Sequence, residues 1–195
     1  MTAREVDTAA AQMKLIQGQR RWRLLMSAAA AGLAAACFSA SHAALGAALV
    51  AGSVAALALA LLDTTRRREL IAELALNAHA YSVPAVKRYG ESLVAPRGRL
   101  RIAAALDRVV RNAGAPGTVY LASRVEACRD DIKALATTLR APGARPEPTS
   151  IALCWRLLTR GAESPLYNRR VPAEELRAAL RRIHNGVRRA PVAHS

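Results

Sequence analysis

The dominant hydrophobic pattern in the sequence is an apolar stretch from Leu24 to Leu62 that contains no Asp, Glu, Lys or Arg. A single helix of this length would be about 58 Å long, roughly twice the thickness of a bilayer core. Two helices joined by a tight turn fit better, and the polar cluster Ser39–His42 marks the turn. The pattern therefore predicts two transmembrane helices, at 24–40 and 43–62.

Small residues recur at intervals of four within both predicted spans. They are Ala28, Gly32 and Ala36 in the first span and Ala48, Gly52 and Ala56 in the second. This spacing allows two helix backbones to approach closely in a membrane. Chance spacing in an alanine-rich chain is the alternative, and the sequence leaves both open.

Basic residues flank the apolar stretch on both sides, whereas the turn inside it has none. They are Lys14, Arg20, Arg21 and Arg23 before the first span and Arg66, Arg67 and Arg68 after the second. Because loops rich in Lys and Arg stay on the cytoplasmic side, we expect both termini in the cytoplasm and His42 outside. The expected location is the inner (cytoplasmic) membrane, with Trp22 at its inner interface.

Two other interpretations of the apolar stretch are open. One is a secretory signal cut after Ser41-His42-Ala43, where small residues stand at the required places. The segment before the apolar stretch is long for such a signal, and a second apolar span follows at once. The other is a buried alanine-rich hairpin of a soluble protein. We expect the membrane hairpin rather than either.

Beyond the spans, apolar residues recur at helical spacing and predict a series of helices. The predicted helices are 64–81, 84–94, 99–112, one starting at Ser123, 150–160 and 172–185. Ser123 and Glu126 match a capping box, and Gly186 suits a helix C-terminal cap. The helix after Ser123 carries a seam of apolar residues at spacings of three and four, namely Val125, Cys128, Ile132, Leu135 and Leu139.

The predicted fold is all-α: a two-helix transmembrane hairpin followed by a cytoplasmic helical bundle. Alternating strand patterns are absent from the sequence. The predicted divisions are a cytoplasmic leader (1–23), the hairpin (24–62), a basic helical domain (63–140), a Pro-rich loop (141–149), a C-terminal helix pair packing on the same domain (150–187) and a mobile tail (188–195). Residues 1–19 of the leader are either a weak amphipathic helix or, as the simpler expectation, a mobile segment.

The formal net charge is +15, and only three of the 29 basic residues are lysines. Together with abundant alanine, this bias is typical of a GC-rich coding sequence. A basic cytoplasmic domain is still attracted to anionic lipid by about 1 kcal/mol per well-placed residue. The three cysteines have no metal-ligand spacing and fall on apolar positions, so they predict buried small side chains.

The sequence contains no recognisable catalytic or nucleotide-binding motif. His79 lies among polar residues and Asp130-Asp131 forms an acidic pair, but both patterns favour solvated surface positions. We expect no enzyme activity, no cofactor and no metal. The lack of ionisable residues within the spans argues against transport.

Arginines are the remaining candidates for a binding role. The candidate contacts to anionic lipid headgroups or phosphates are Arg66, Arg67, Arg68, Arg97, Arg101, Arg108, Arg111, Arg177, Arg181 and Arg188. Solvated helix faces are the simplest interpretation, lipid headgroups the next and nucleic acid the third, because no reader motif and few aromatic residues accompany them. The predicted role is that of a membrane anchor or adaptor with an unknown protein partner. A membrane-tethered nucleic-acid-binding protein is the alternative.

The two Ala-rich spans, the Arg66-Arg67-Arg68 run and Ser164-Pro165-Leu166-Tyr167 within an Arg/Ala-rich helical domain resemble uncharacterised two-span membrane proteins of GC-rich bacteria. This resemblance covers most of the chain. It implies a membrane location and brings no activity with it.

Overall fold

A computed structural model describes residues 2–116, 121–159 and 164–188 of the chain. All regular structure in these ranges is helical, which confirms the predicted all-α class. The helices are α1 (Ala3–Ser39), α2 (Ala43–Leu74), α3 (Pro84–Val94), α4 (Pro96–Asn112), α5 (Ala122–Ala127), α6 (Arg129–Arg140), α7 (Pro148–Thr159) and α8 (Ala173–Arg188), with a 3₁₀ helix at Ala78–Ser82. The chain forms two compact units, the hairpin unit (residues 1–73) and the C-terminal unit (residues 74–195).

Helix α1 begins far before the apolar stretch. A capping box at its start explains this, because Glu5 N donates to Thr2 Oγ1 at 3.4 Å and Thr2 N donates to Glu5 Oε2 at 2.6 Å. Of the two alternatives for residues 1–19, a helix or a mobile segment, the helix is the one observed, because the described residues are helical from Ala3 onward. Helix α2 likewise continues past the apolar stretch to Leu74.

The turn between α1 and α2 occupies residues 40–42 and closes with a Schellman motif. His42 N donates to Cys37 O at 2.8 Å, and Ser41 N donates to Phe38 O at 3.2 Å. The motif requires a left-handed residue after the helix cap, and Ser41 takes that conformation with φ 63°. A non-glycine residue is strained there, so the turn is formed at a local cost.

The buried positions of the hairpin follow a heptad pattern rather than the predicted four-residue spacing. In residues 21–40 and 43–63, the positions that are not exposed are Arg23, Ser27, Ala30, Ala34, Cys37, Gly46, Leu49, Ser53, Ala56, Ala60 and Asp63. Spacings of three and four alternate along both helices, as in antiparallel coiled coils. Gly32 and Gly52 face open space. Of the two alternatives for the small residues, chance spacing therefore fits every position except Ala56, which is half-buried.

The outer surface of the hairpin unit is apolar and exposed. Leu25, Leu33, Val54 and Leu61 each keep more than half of their side-chain surface accessible. An apolar surface of this extent is unusual on a soluble monomer. By length and composition, α1 and α2 are both able to cross a membrane.

The C-terminal unit is built around α4 and α6, which pack on each other more extensively than any other pair of its helices. Helix α8 packs on α6 and α7, and α3 packs on α7. Its largest fully buried side chains include Leu106, Ile132, Leu135, Leu139, Ile151, Leu176 and Ile183. These are the apolar faces that the helical spacing picks out in the sequence.

Three local predictions in this unit are wrong. Ser123 does not cap a helix, because α5 begins at Ala122 with Leu121 as its N-cap and no side-chain hydrogen bond. The predicted single helix is interrupted at Cys128, where ψ is 11°. Gly186 does not end a helix either. It lies inside α8, which continues to Arg188.

Candidate anion-binding surfaces

Helix α4 carries four of the predicted arginines on one exposed face. At 100° per residue, Arg97, Arg101, Arg108 and Arg111 fall within an arc of about 80°. All four are exposed, while Ile102 on the opposite side is fully buried. The structure thus gathers these candidates into a single surface, which we call the α4 stripe.

One member of the α4 stripe is held by an aromatic ring. The Arg101 guanidinium carbon lies 4.3 Å from the ring centroid of Trp155 on α7, a cation–π contact. Beside it, Arg108 and Trp155 line a cleft of about 300 Å³. Within the described residues, Arg97, Arg108 and Arg111 have no hydrogen-bond or ion-pair partner, so their charges are available to a ligand.

A second group of arginines has a structural role instead. Arg177 donates through Nε and Nη2 to the carbonyl oxygen of Ala127, at 3.0 and 2.8 Å. Arg99 donates to the carbonyls of Leu139 and Ala141, at 3.0 and 3.2 Å. These carbonyls lie at helix C-termini, where backbone acceptors lack partners and cations are favoured. Arg177, predicted as an anion contact, is therefore already engaged by the backbone.

The remaining predicted arginines are spread over both units. Arg66 and Arg68 are exposed on α2, whereas Arg67 is half-buried and its Nε atom is buried without a hydrogen-bond partner. Arg181 on α8 lies 3.7 Å from Asp131. Arg188 is the last described residue of α8. The structure therefore groups only the four α4 residues into one continuous surface.

A groove between α7 and α8 brings in arginines that the sequence analysis missed. It has a volume of about 950 Å³, and Arg145 and Arg182 line it together with Arg181. Arg182 adjoins a predicted member, but Arg145 lies in the Pro-rich loop, far from α8 in sequence. Helical spacing predicts which residues share a helix face, but it does not predict that a loop residue lies beside that face. The sequence therefore did not indicate that Arg145, Arg181 and Arg182 lie together.

The hairpin unit contains polar contacts that the sequence analysis also missed. Arg23 Nη1 donates to Asp63 Oδ2 at 2.6 Å, and the Asp63 side chain is only 4% exposed. One turn further along α1, the Ser27 and Ser53 hydroxyls lie 3.0 Å apart, and each donates to the other residue's carbonyl oxygen at 3.0 Å. These groups join α1 to α2.

The titratable groups with shifted pKa values do not form a reactive centre. Burial raises the pKa of the Cys154 thiol to about 12. Burial also raises the pKa of Cys128, against the opposing effect of Arg177. Raised values keep both thiols protonated near neutral pH, where they are poor nucleophiles. Within the described ranges, no group of three His, Cys, Asp or Glu side chains is placed to hold a metal ion.

Comparison with known proteins adds no family to these observations. No protein-family model matches the chain, and neither a curated protein nor a solved structure matches it.

Proposed function

We propose that this chain is an integral protein of the inner (cytoplasmic) membrane that holds a basic helical domain at the cytoplasmic leaflet. In this proposal the hairpin unit spans the bilayer twice and both termini are cytoplasmic. The C-terminal unit then contacts anionic lipid headgroups through the α4 stripe. Its role is that of a non-enzymatic anchor or adaptor for a protein partner.

The observation that carries the proposal is the composition of the α4 stripe. Four exposed arginines share one face, and Arg97, Arg108 and Arg111 have no partner among the described residues. Each basic residue near an anionic leaflet contributes about 1 kcal/mol of attraction. Trp155, beside the stripe, is a residue type favoured at membrane–water interfaces.

The apolar surface of the hairpin supports the membrane location. Its large side chains are exposed on the outside, and its polar groups are paired on the inside. Such an arrangement suits a lipid solvent, which satisfies apolar side chains but not polar groups.

Reporter fusions at each terminus test the orientation: cytoplasmic signals from both are expected, and an external signal from the C-terminal fusion would contradict it.

The lipid contact is tested with the full chain in nanodiscs of phosphatidylcholine, with or without phosphatidylglycerol. We expect amide exchange in α4 to slow when the anionic lipid is present. Substituting Arg97, Arg101, Arg108 and Arg111 together by Gln should abolish this protection. The matched control is Arg169→Gln with Arg170→Gln, two exposed arginines outside the stripe, which should retain it.

Protection that is identical in the two lipid compositions would refute the lipid assignment. The alternative role, nucleic-acid binding, predicts a different result. Duplex DNA would then slow exchange in α4 in neutral nanodiscs, and the effect would fall steeply with salt.

A further inference from the structure

The groove between α7 and α8 is a concave site of the C-terminal unit with a volume of about 950 Å³. One wall is a face of α8 that presents Ala178, Arg181, Arg182, Asn185 and Gly186. The other contains the loop residues Arg145 and Glu147 and the first turn of α7. Its volume lies within the range of small-molecule sites.

The lining of the groove is electropositive. Three guanidinium groups, from Arg145, Arg181 and Arg182, are opposed by the single carboxylate of Glu147. That carboxylate is already engaged, since it accepts hydrogen bonds from the hydroxyls of Thr149 at 2.6 Å and Ser150 at 3.3 Å. Within the described residues, Arg145 and Arg182 have no partner, so at least two cations are available to a ligand.

Part of the lining of the groove is apolar. Leu76, Leu153 and Ile183 contribute to it. Gly186 lies close to Ser150, and a side chain at this position would meet the Ser150 hydroxyl. A ligand that fills the groove therefore combines an anionic group with an apolar part.

We infer that the groove binds a phosphate monoester carried on an apolar group. Guanidinium groups hydrogen-bond phosphate in a planar, bidentate fashion. Arg181 lies 3.7 Å from Asp131, which leaves Arg145 and Arg182 as the two arginines without a partner among the described residues. Two guanidinium groups match a dianionic phosphate better than they match a monoanionic carboxylate. The inference does not depend on the α4 stripe or on its contact with lipid.

Phenyl phosphate is a suitable probe, because it joins a phosphate monoester to an apolar ring. We expect it to bind the full-length protein in a neutral detergent, as measured by isothermal titration calorimetry, and benzoate to bind at least tenfold more weakly. Binding should weaken below pH about 6, where the phosphate loses its second charge.

The variant Arg145→Gln with Arg182→Gln should weaken phenyl phosphate binding at least tenfold. Arg181 is left in place because it also contacts Asp131. Arg169→Gln with Arg170→Gln, two exposed arginines outside the groove and outside the α4 stripe, is the matched control and should bind as the unmodified protein does. Thermal unfolding of each variant checks that the fold is retained.

The results separate the sources of the phosphate. If nanodiscs containing phosphatidic acid compete with phenyl phosphate for the groove, the natural ligand is a lipid headgroup. If they do not compete, the natural ligand is a soluble phosphate ester. No binding of phenyl phosphate, or equal binding to the double variant and the control, would overturn the inference. If anionic nanodiscs do not slow amide exchange in α4 while phenyl phosphate still binds the protein, only the proposed lipid contact is refuted.

Discussion

The guanidinium of Arg23 and the carboxylate of Asp63 form an ion pair at 2.6 Å that joins α1 to α2. Arg23 also donates to the carbonyl of Leu59 at 3.3 Å. The two residues flank the apolar stretch, one just before Leu24 and the other just after Leu62. Their pairing brings the two ends of the stretch together at one level, as a hairpin requires.

Breaking this pair should destabilise the hairpin unit. In Arg23→Gln the nearly buried Asp63 carboxylate loses its cation, which costs about 3 kcal/mol for a buried pair. Asp63→Asn should cost less, because a neutral amide is easier to bury. The stability of the double variant should be close to that of Asp63→Asn. A double-mutant cycle, based on unfolding in mixed micelles, measures this. Arg21→Gln, at an exposed position of the same helix, should leave stability unchanged.

The heptad seam and the predicted small-residue seam make opposite predictions. Removing the reciprocal hydroxyl contacts with Ser27→Ala or Ser53→Ala should cost about 0.6 kcal/mol, the average for hydrogen bonds between membrane helices. Gly32→Ala and Gly52→Ala should be tolerated, because nothing lies within 4 Å of either added methyl group. The same unfolding assay decides between the two seams. A larger loss of stability in the glycine variants than in the serine variants would favour the small-residue seam.

The strained turn offers a stabilising substitution. Ser41→Gly should raise the stability of the hairpin, because glycine adopts the left-handed conformation without the cost of about 1 kcal/mol that other residues incur. Ser41→Val should lower it for the same reason. Ser39→Gly, at a helical position of α1, serves as the control and should be destabilising.

The stability of the C-terminal unit should decline at high pH. Burial, followed by the charges of Glu147 and Tyr89, raises the pKa of Tyr81 from 10.0 to about 12. The neutral phenol therefore stabilises the folded state fully below pH 10, and this contribution is lost as the pH rises through about 12. Thermal unfolding as a function of pH measures the decline.

Tyr81→Phe should flatten this pH dependence, although it also removes the 3.0 Å hydrogen bond from Tyr81 Oη to Ala75 O. Tyr167→Phe is the control, since the Tyr167 hydroxyl also donates to a backbone carbonyl, that of Leu158. An unchanged pH dependence in Tyr81→Phe would assign the decline to other groups.

The sequence predicted the helices best where burial repeats along one face. Leu106, Ile132 and Leu176 are fully buried, because helical periodicity translates directly into a core-facing side. Prediction from the sequence failed where a helix start depends on capping hydrogen bonds as well as on packing. Ser123 matches a capping motif but does not cap, since α5 begins one residue earlier. Thr2 and Glu5 form the real box, in a segment where an amphipathic signal was weak.

The candidate sites show the same division. The α4 stripe was predictable, because its members lie on one helix at helical spacing. The groove was not, since Arg145 and Arg182 become neighbours only when the Pro-rich loop packs beside α8. The prediction of Arg177 as an anion contact failed for a related reason. The position of an arginine on a helix face does not indicate that a carbonyl 50 residues away in sequence accepts its hydrogen bonds.

The contact between Arg101 and Trp155 gives the protein a built-in optical probe. Indole emission responds to a charge on the ring face, so a ligand that draws Arg101 away from Trp155 changes the fluorescence of that residue. The chain has only two tryptophans. With Trp22 replaced by Phe, emission from the remaining indole reports occupancy of the neighbouring arginines without any attached dye.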